Sequence, residues 1–269
     1  NMLVNIGNNR YRLIDFWTGT YRAATGSGAL NTLPISVAPY AVKFEKRLPV
    51  KIMFLALFFA TIQYMFMLGT RTQFAILLLI VILAALQFAY SEQGIAGVLK
   101  CIGIMAVISL IAFLLYHFNV LSIRDYILST NLAARYERRA SLENADSFRF
   151  QSFWIGLREL IQYPMGGRAS QVYRHNMWLD VGRVSGIIPF CLLLVYSIKN
   201  FANVTVIWKN TKILPSLRYL LLFLYIGAYV NCFVEPIWEG ALNFFLALCV
   251  VDGMVSAMMR RLENDPTPE

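Results

Sequence analysis

147-SFRFQSFWIGLRELIQYPMGGRASQVYRHNMWLDVGRVSGIIPF-190 carries the chain from polar sequence to the threshold of a hydrophobic span. Phe150, Phe153, Trp154, Leu157, Leu160 and Ile161 recur at helical spacing. Asn144 or Asp146 suits the N-cap of that helix, and Pro164, Gly166 and Gly167 supply its stop. The stripe fits a helix lying on a bilayer or on neighbouring spans, and ordinary packing accounts for it. Arg149 and Arg158 fall off the stripe, toward a cavity or water. After the Pro-x-Gly-Gly stop come Arg174, His175 and Asn176, then the apolar run.

Such runs fill the chain. Its 269 residues are 58% hydrophobic and only 14% charged, whereas a soluble domain is about half apolar and a quarter charged. Six runs, about 48–68, 73–90, 101–118, 184–207, 217–234 and 241–258, suit the ~30 Å of a bilayer core. The fourth has an alternative start at Asn176. A seventh, weaker run, 23–42, is rich in small residues and holds two prolines. The expected fold is an all-α polytopic membrane helix bundle of about seven spans with a partly helical outer loop. It divides into 1–118, the loop 119–175, and 176–269, within one membrane domain. There is no signal-peptide pattern, and the polar start predicts the C-terminal part of a longer protein. Cys101, Cys191, Cys232 and Cys249 lie in or at the ends of apolar runs with no CxxC spacing. They read as small core residues, neither disulfides nor metal ligands.

Short cytoplasmic loops carry excess Lys and Arg. Placing Lys43, Lys46, Arg47 and Lys51 inside, with Lys199, Lys209, Lys212, Arg218, Arg260 and Arg261, also puts Lys100 inside. Arg71, the 119–175 loop and the turn holding Glu235 and Glu239 then face out. All seven lysines fall inside, and the thirteen basic residues outside or at the outer boundary are all Arg. Those are Arg10, Arg12, Arg22, Arg71, Arg124, Arg135, Arg138, Arg139, Arg149, Arg158, Arg168, Arg174 and Arg183. Guanidinium grips phosphate through two parallel hydrogen bonds, where ammonium acts as a point charge. The plainer explanation is that Arg is the commoner base here, seventeen against seven. The net charge of +9 thus reads as membrane orientation plus an anion site, and no nucleic-acid partner is expected.

His175 is either a general base for a hydroxyl or an ordinary interfacial histidine. His117 reads as interfacial. Arg71, in Gly69-Thr70-Arg71-Thr72, either snorkels or points inward at an anion. Asp180 and Arg183 are spaced to pair on a helix. Gly182 and Gly186 form a small-xxx-small pattern for close packing. Asp252, inside the last run, calls for a polar partner in the bundle. No P-loop, GxSxG or HExxH is present, and no acid spacing names a metal site.

Together these residues resemble the O-antigen polymerase/ligase family of bacterial envelope proteins. The likeness is best from Ser147 to Phe190: an Arg, a Trp-containing amphipathic helix, Pro-x-Gly-Gly, His-Asn, nine residues and Gly186. Gly69-Thr70-Arg71 is similar to the family's arginine at the outer end of a span. Pro189 stands where the family often has a further Gly, and the stretch between Pro164 and His175 is short. The family usually has about twice as many hydrophobic segments. The resemblance implies a glycosyltransferase of the bacterial inner membrane, in polysaccharide or lipopolysaccharide biosynthesis. It would move a glycan from a polyprenyl (undecaprenyl) diphosphate carrier to a sugar hydroxyl, without metal or other cofactor. By position it makes Arg71, Arg149 and His175 catalytic. Arg168, Arg174, Arg183, Asn176 and Asp180 become candidates for binding diphosphate or glycan. Its implied partners are a lipid-linked oligosaccharide donor, a glycan or lipid-linked acceptor, the bilayer, and a chain-length regulator protein.

Overall fold

The computed structural model describes residues 28–134 and 145–264 and the backbone of 13–14 and 21–22, apart from the side chains of 145–149 and Glu239. Asn144, Arg10, Arg12, Arg135, Arg138 and Arg139, and the side chains of Asp146 and Arg22, lie outside that description. The described residues are helical except for loops and a two-residue antiparallel ladder, Leu13–Ile14 with Tyr21–Arg22.

The chain forms two compact units, one of residues 1–24 and 41–143, the other of 25–40 and 144–269. The break inside the long loop assigns its amphipathic helix to the C-terminal unit.

Among the described residues five helices are long and apolar enough to cross a membrane, and the protein is a multi-pass membrane protein. The sequence reading counts seven. The weak first run contributes helix α1, Thr32–Phe44, of 13 residues. That is about 20 Å, too short for the hydrocarbon core. Helix α2, Leu48–Leu68, starts with Pro49 in its first turn and stops where Gly69 turns left-handed and donates its N–H to Met65 O. Runs 73–90 and 101–118 lie together in α3, Arg71–His117, with one break at Gly94 (φ 61°, ψ −143°). The break leaves two halves, Arg71–Gln93 and Ile95–His117, each about 35 Å long. His117 ends α3 between the rings of Phe113 and Phe118. A short helix α4, Ile123–Ser129, follows.

In the second unit, α5 (Ala145–Gln162) precedes α6 (Met177–Ser185) and the long α7 (Ile187–Lys209). Then come α8 (Pro215–Val234), the turn α9 (Ile237–Gly240) and α10 (Leu242–Asn264). One core cluster joins Met177 and Trp178 of α6 to Ala228 and Cys232 of α8 and Phe244 and Leu248 of α10. A second gathers Val204, Ile207, Leu221, Tyr225 and Val255 from α7, α8 and α10. At Gly227 helix α1 approaches so closely that a Cβ would meet Ser36 Oγ.

The expected partners of Asp252 are tyrosines. Tyr196 OH donates to Oδ2 at 2.7 Å and Tyr225 OH to Oδ1, so α7, α8 and α10 share one buried acid. All four cysteines are free, but Cys191 lies exposed on α7 instead of in the core.

Candidate functional site

The segment between α5 and α7 is built on glycines. Gly166 and Gly167 have φ of 73° and 78°, a conformation that costs other residues about 1–2 kcal/mol. It lets the chain fold back against the α6–α7 junction. Gly167 N–H donates to Val184 O (2.9 Å), Arg168 N–H to Arg183 O (3.1 Å), and Ile187 N–H to Pro164 O (2.8 Å). Gly186, at φ 93°, faces Gly166: a Cβ on Gly166 would sit 2.5 Å from Gly186 N. A side chain at Gly182 would strike Leu160 of α5. Gly182 thus serves the close helix packing expected of it, whereas Gly186 is non-helical and packs on the Pro164–Gly166 turn instead of a helix.

Helix α5 packs on a different face from the one its large residues suggest. Ser152, Gly156, Glu159 and Leu160 are buried, and a Cβ on Gly156 would lie 3.1 Å from Leu179 Cδ1. The aromatic stripe is largely exposed, Phe150 by 67% and Trp154 by 54%. Leu160 alone of the stripe is buried. Arg158 is exposed, as its position off the stripe predicts.

Glu159 is the electrostatic centre of this packing, and nothing in the sequence reading singled it out. It accepts from Arg174 Nε at 3.0 Å and Nη2 at 2.7 Å, and Arg168 Nη2 lies 3.6 Å away. The Arg168 guanidinium also stands 4.2 Å from the Tyr163 ring centre, a cation–π contact. Arg183 Nη1 donates to the carbonyls of Arg168 (2.7 Å), Ala169 (3.1 Å) and Gln171 (2.7 Å). Its Nε lies 3.6 Å from Asp180 Oδ1, the ion pair their spacing predicts. Asp180 Oδ1 also accepts from Arg174 N–H at 2.6 Å. Asn176 caps α6, its Oδ1 accepting from Leu179 N–H at 3.0 Å, and its Nδ2 donates to Phe233 O at 3.2 Å. The five secondary candidates therefore all engage protein groups.

Between these anchors stands His175, at φ +55°. A non-glycine residue persists in this region only where its surroundings over-determine it, and such residues cluster at functional sites. Here Arg174 is held through both its backbone and its guanidinium, and Asn176 through both ends of its amide. The imidazole packs edge-on against Tyr173, centroids 4.7 Å apart. It lines a cavity of about 420 Å³ with Phe150, Phe153, Trp154, Arg174, Asn176, Phe233 and Val234. This is an aromatic recess with polar groups gathered on one wall, in the size range of a ligand pocket.

Of the expected catalytic residues, Arg149 sits on α5 directly before cavity-lining Phe150, and its side chain is outside the description. Arg71 is the first residue of α3 and belongs to the other compact unit. Phe233 lines the cavity from a distant span and was not anticipated. Among the described residues no group of three or more His, Cys, Asp or Glu is placed to hold a metal ion.

Comparison of the chain with protein-family models, curated proteins and solved structures finds no match.

Proposed function

We propose that this protein transfers a glycan from a polyprenyl diphosphate carrier to a sugar hydroxyl at the outer face of the bacterial inner membrane. Its acceptor is a second lipid-linked repeat, making it an O-antigen-type polymerase. An O-antigen ligase acting on lipid A–core, or a protein O-oligosaccharyltransferase, would use the same chemistry with another acceptor.

One observation supports the reading most: His175, held left-handed between two anchored neighbours, lines an aromatic cavity. The acceptor oxygen would attack the anomeric carbon as the bond from that carbon to the diphosphate oxygen breaks. His175 takes the hydroxyl proton. Negative charge gathers on the departing lipid diphosphate, and Arg149, directly before cavity-lining Phe150, is assigned to stabilise it. A preorganised donor of this kind is worth roughly 3–4 kcal/mol. A single displacement inverts the anomeric configuration. Arg168, Arg174, Arg183, Asn176 and Asp180 act in this scheme as positioning residues, because their polar groups hold the turn that carries the imidazole.

The test is reconstitution of the full-length protein with lipid-linked oligosaccharide and each acceptor in turn. His175→Ala is expected to abolish transfer while the protein stays folded. Full transfer by that variant would overturn the assignment.

A reading of another class is transport, which needs ionisable residues near the midplane of several spans; Asp252 is one buried acid of that kind. A transporter of lipid-linked sugars would lose flux on Asp252→Asn and keep it on His175→Ala, the opposite of the transferase.

A further inference from the structure

We infer that helix α5 lies along the membrane face with its aromatic stripe in the lipid, so that the partner of this exposed surface is the bilayer itself. Phe150, Phe153 and Trp154 of this stripe also line the recess beside His175, but the inference uses their exposure and not the transfer chemistry.

Two attachments fix the position of α5. Ile187 N–H donates to Pro164 O, two residues past the helix, which ties its end to the first turn of α7. Nearer its start, the Phe153 ring lies 5.9 Å from that of Phe233, in the last turn of α8. Helices α7 and α8 form a hairpin joined by residues 210–214, with Val204 and Ile207 packed on Leu221 and Tyr225. The start of α7 and the end of α8 are therefore on one membrane face. Phe153 and Pro164 are about 16 Å apart on a helical rise. Both ends of that interval sit at the mouths of membrane-crossing helices, so α5 runs along the face between them.

Its circumference divides to match. At about 100° per residue, Phe150, Phe153, Trp154, Leu157 and Ile161 fill one sector. Ser152, Gly156, Glu159 and Leu160 form the sector packed on the protein. Gln151, Arg158 and Gln162, all exposed, form the third, with exposed Ile155 at its border with the packed side. The outward surface of α7 is apolar as well, with Ile188, Leu192 and Val195 each more than 60% exposed. Trp at this depth matches the aromatic enrichment of membrane–water boundaries.

The experiment places the whole chain in phosphatidylcholine–phosphatidylglycerol vesicles. The emission of Trp154 is taken as the difference between the native protein and Trp154→Phe. That component should be lost to lipids brominated near the headgroup end of the chains and spared by acrylamide. Loss to acrylamide alone would put the stripe in water. Resistance to both quenchers would mean that protein, including a second copy, covers it. Either result overturns the inference. Phe150→Trp supplies an independent reporter one turn away with the same expectation. Gln162→Trp, in the polar sector, should be lost to acrylamide; equal loss to bromolipid there would mean that the helix is immersed, which also overturns the proposal.

Discussion

Glu159 and Arg174 form a bidentate pair across α5 and the turn before His175, with contacts of 3.0 and 2.7 Å and both side chains buried. The pair holds the backbone from which the imidazole projects. Removing one member of a buried pair leaves an uncompensated charge, a loss of about 3–5 kcal/mol. Glu159→Gln should therefore lower the unfolding midpoint of the detergent-solubilised protein far more than Arg158→Gln, its exposed neighbour. Circular dichroism on heating reads the difference.

His175 allows conformation and chemistry to be separated. Glycine adopts φ +55° without the penalty that alanine keeps. His175→Gly should be more stable than His175→Ala by about 1 kcal/mol, after glycine's own entropic cost. Both variants should be equally inactive in glycan transfer. Equal stability of the two would show that the turn does not impose the left-handed state.

Gly166 and Gly167 share a positive φ but differ in surroundings. A Cβ at Gly166 would meet backbone atoms of Val184, Ser185 and Gly186, while at Gly167 nothing lies within 4 Å. Gly167→Ala should cost about 1–2 kcal/mol from backbone strain alone. Gly166→Ala adds a collision worth roughly a further 1–3 kcal/mol. Thermal melts of the two variants, run side by side, test the order.

Asp252 and its tyrosines predict a coupling. Polar contacts between membrane helices average about 0.6 kcal/mol and reach about 1.7 kcal/mol. A double-mutant cycle of Tyr196→Phe with Asp252→Asn should return a coupling in that range. A value of zero would mean that the 2.7 Å contact adds nothing to helix association.

The apolar runs were readable because hydrocarbon thickness sets their length. Their boundaries were less so. Residues 91–100, SEQGIAGVLK, look like a loop, yet Ser91, Glu92 and Gln93 stay helical and only Gly94 departs. Ser, Glu and Gln are tolerable helix formers, and polarity alone does not unwind a helix. On α5 the pattern identified the helix but not its contact face. Bulky residues suggested the packing side, whereas Ser152 and Gly156 permit the closer approach, as small residues do between membrane helices. His175, Asn176 and the Pro-x-Gly-Gly turn were visible as local motifs. Glu159 was not, because its importance arises from Arg174 and Arg168, brought to it by the fold.

Asn176 binds two elements with one amide: Oδ1 holds the first turn of α6 and Nδ2 holds the last turn of α8. Phe233, whose carbonyl takes that bond, also lines the cavity. That bond therefore joins the wall of the recess to the residue beside the imidazole.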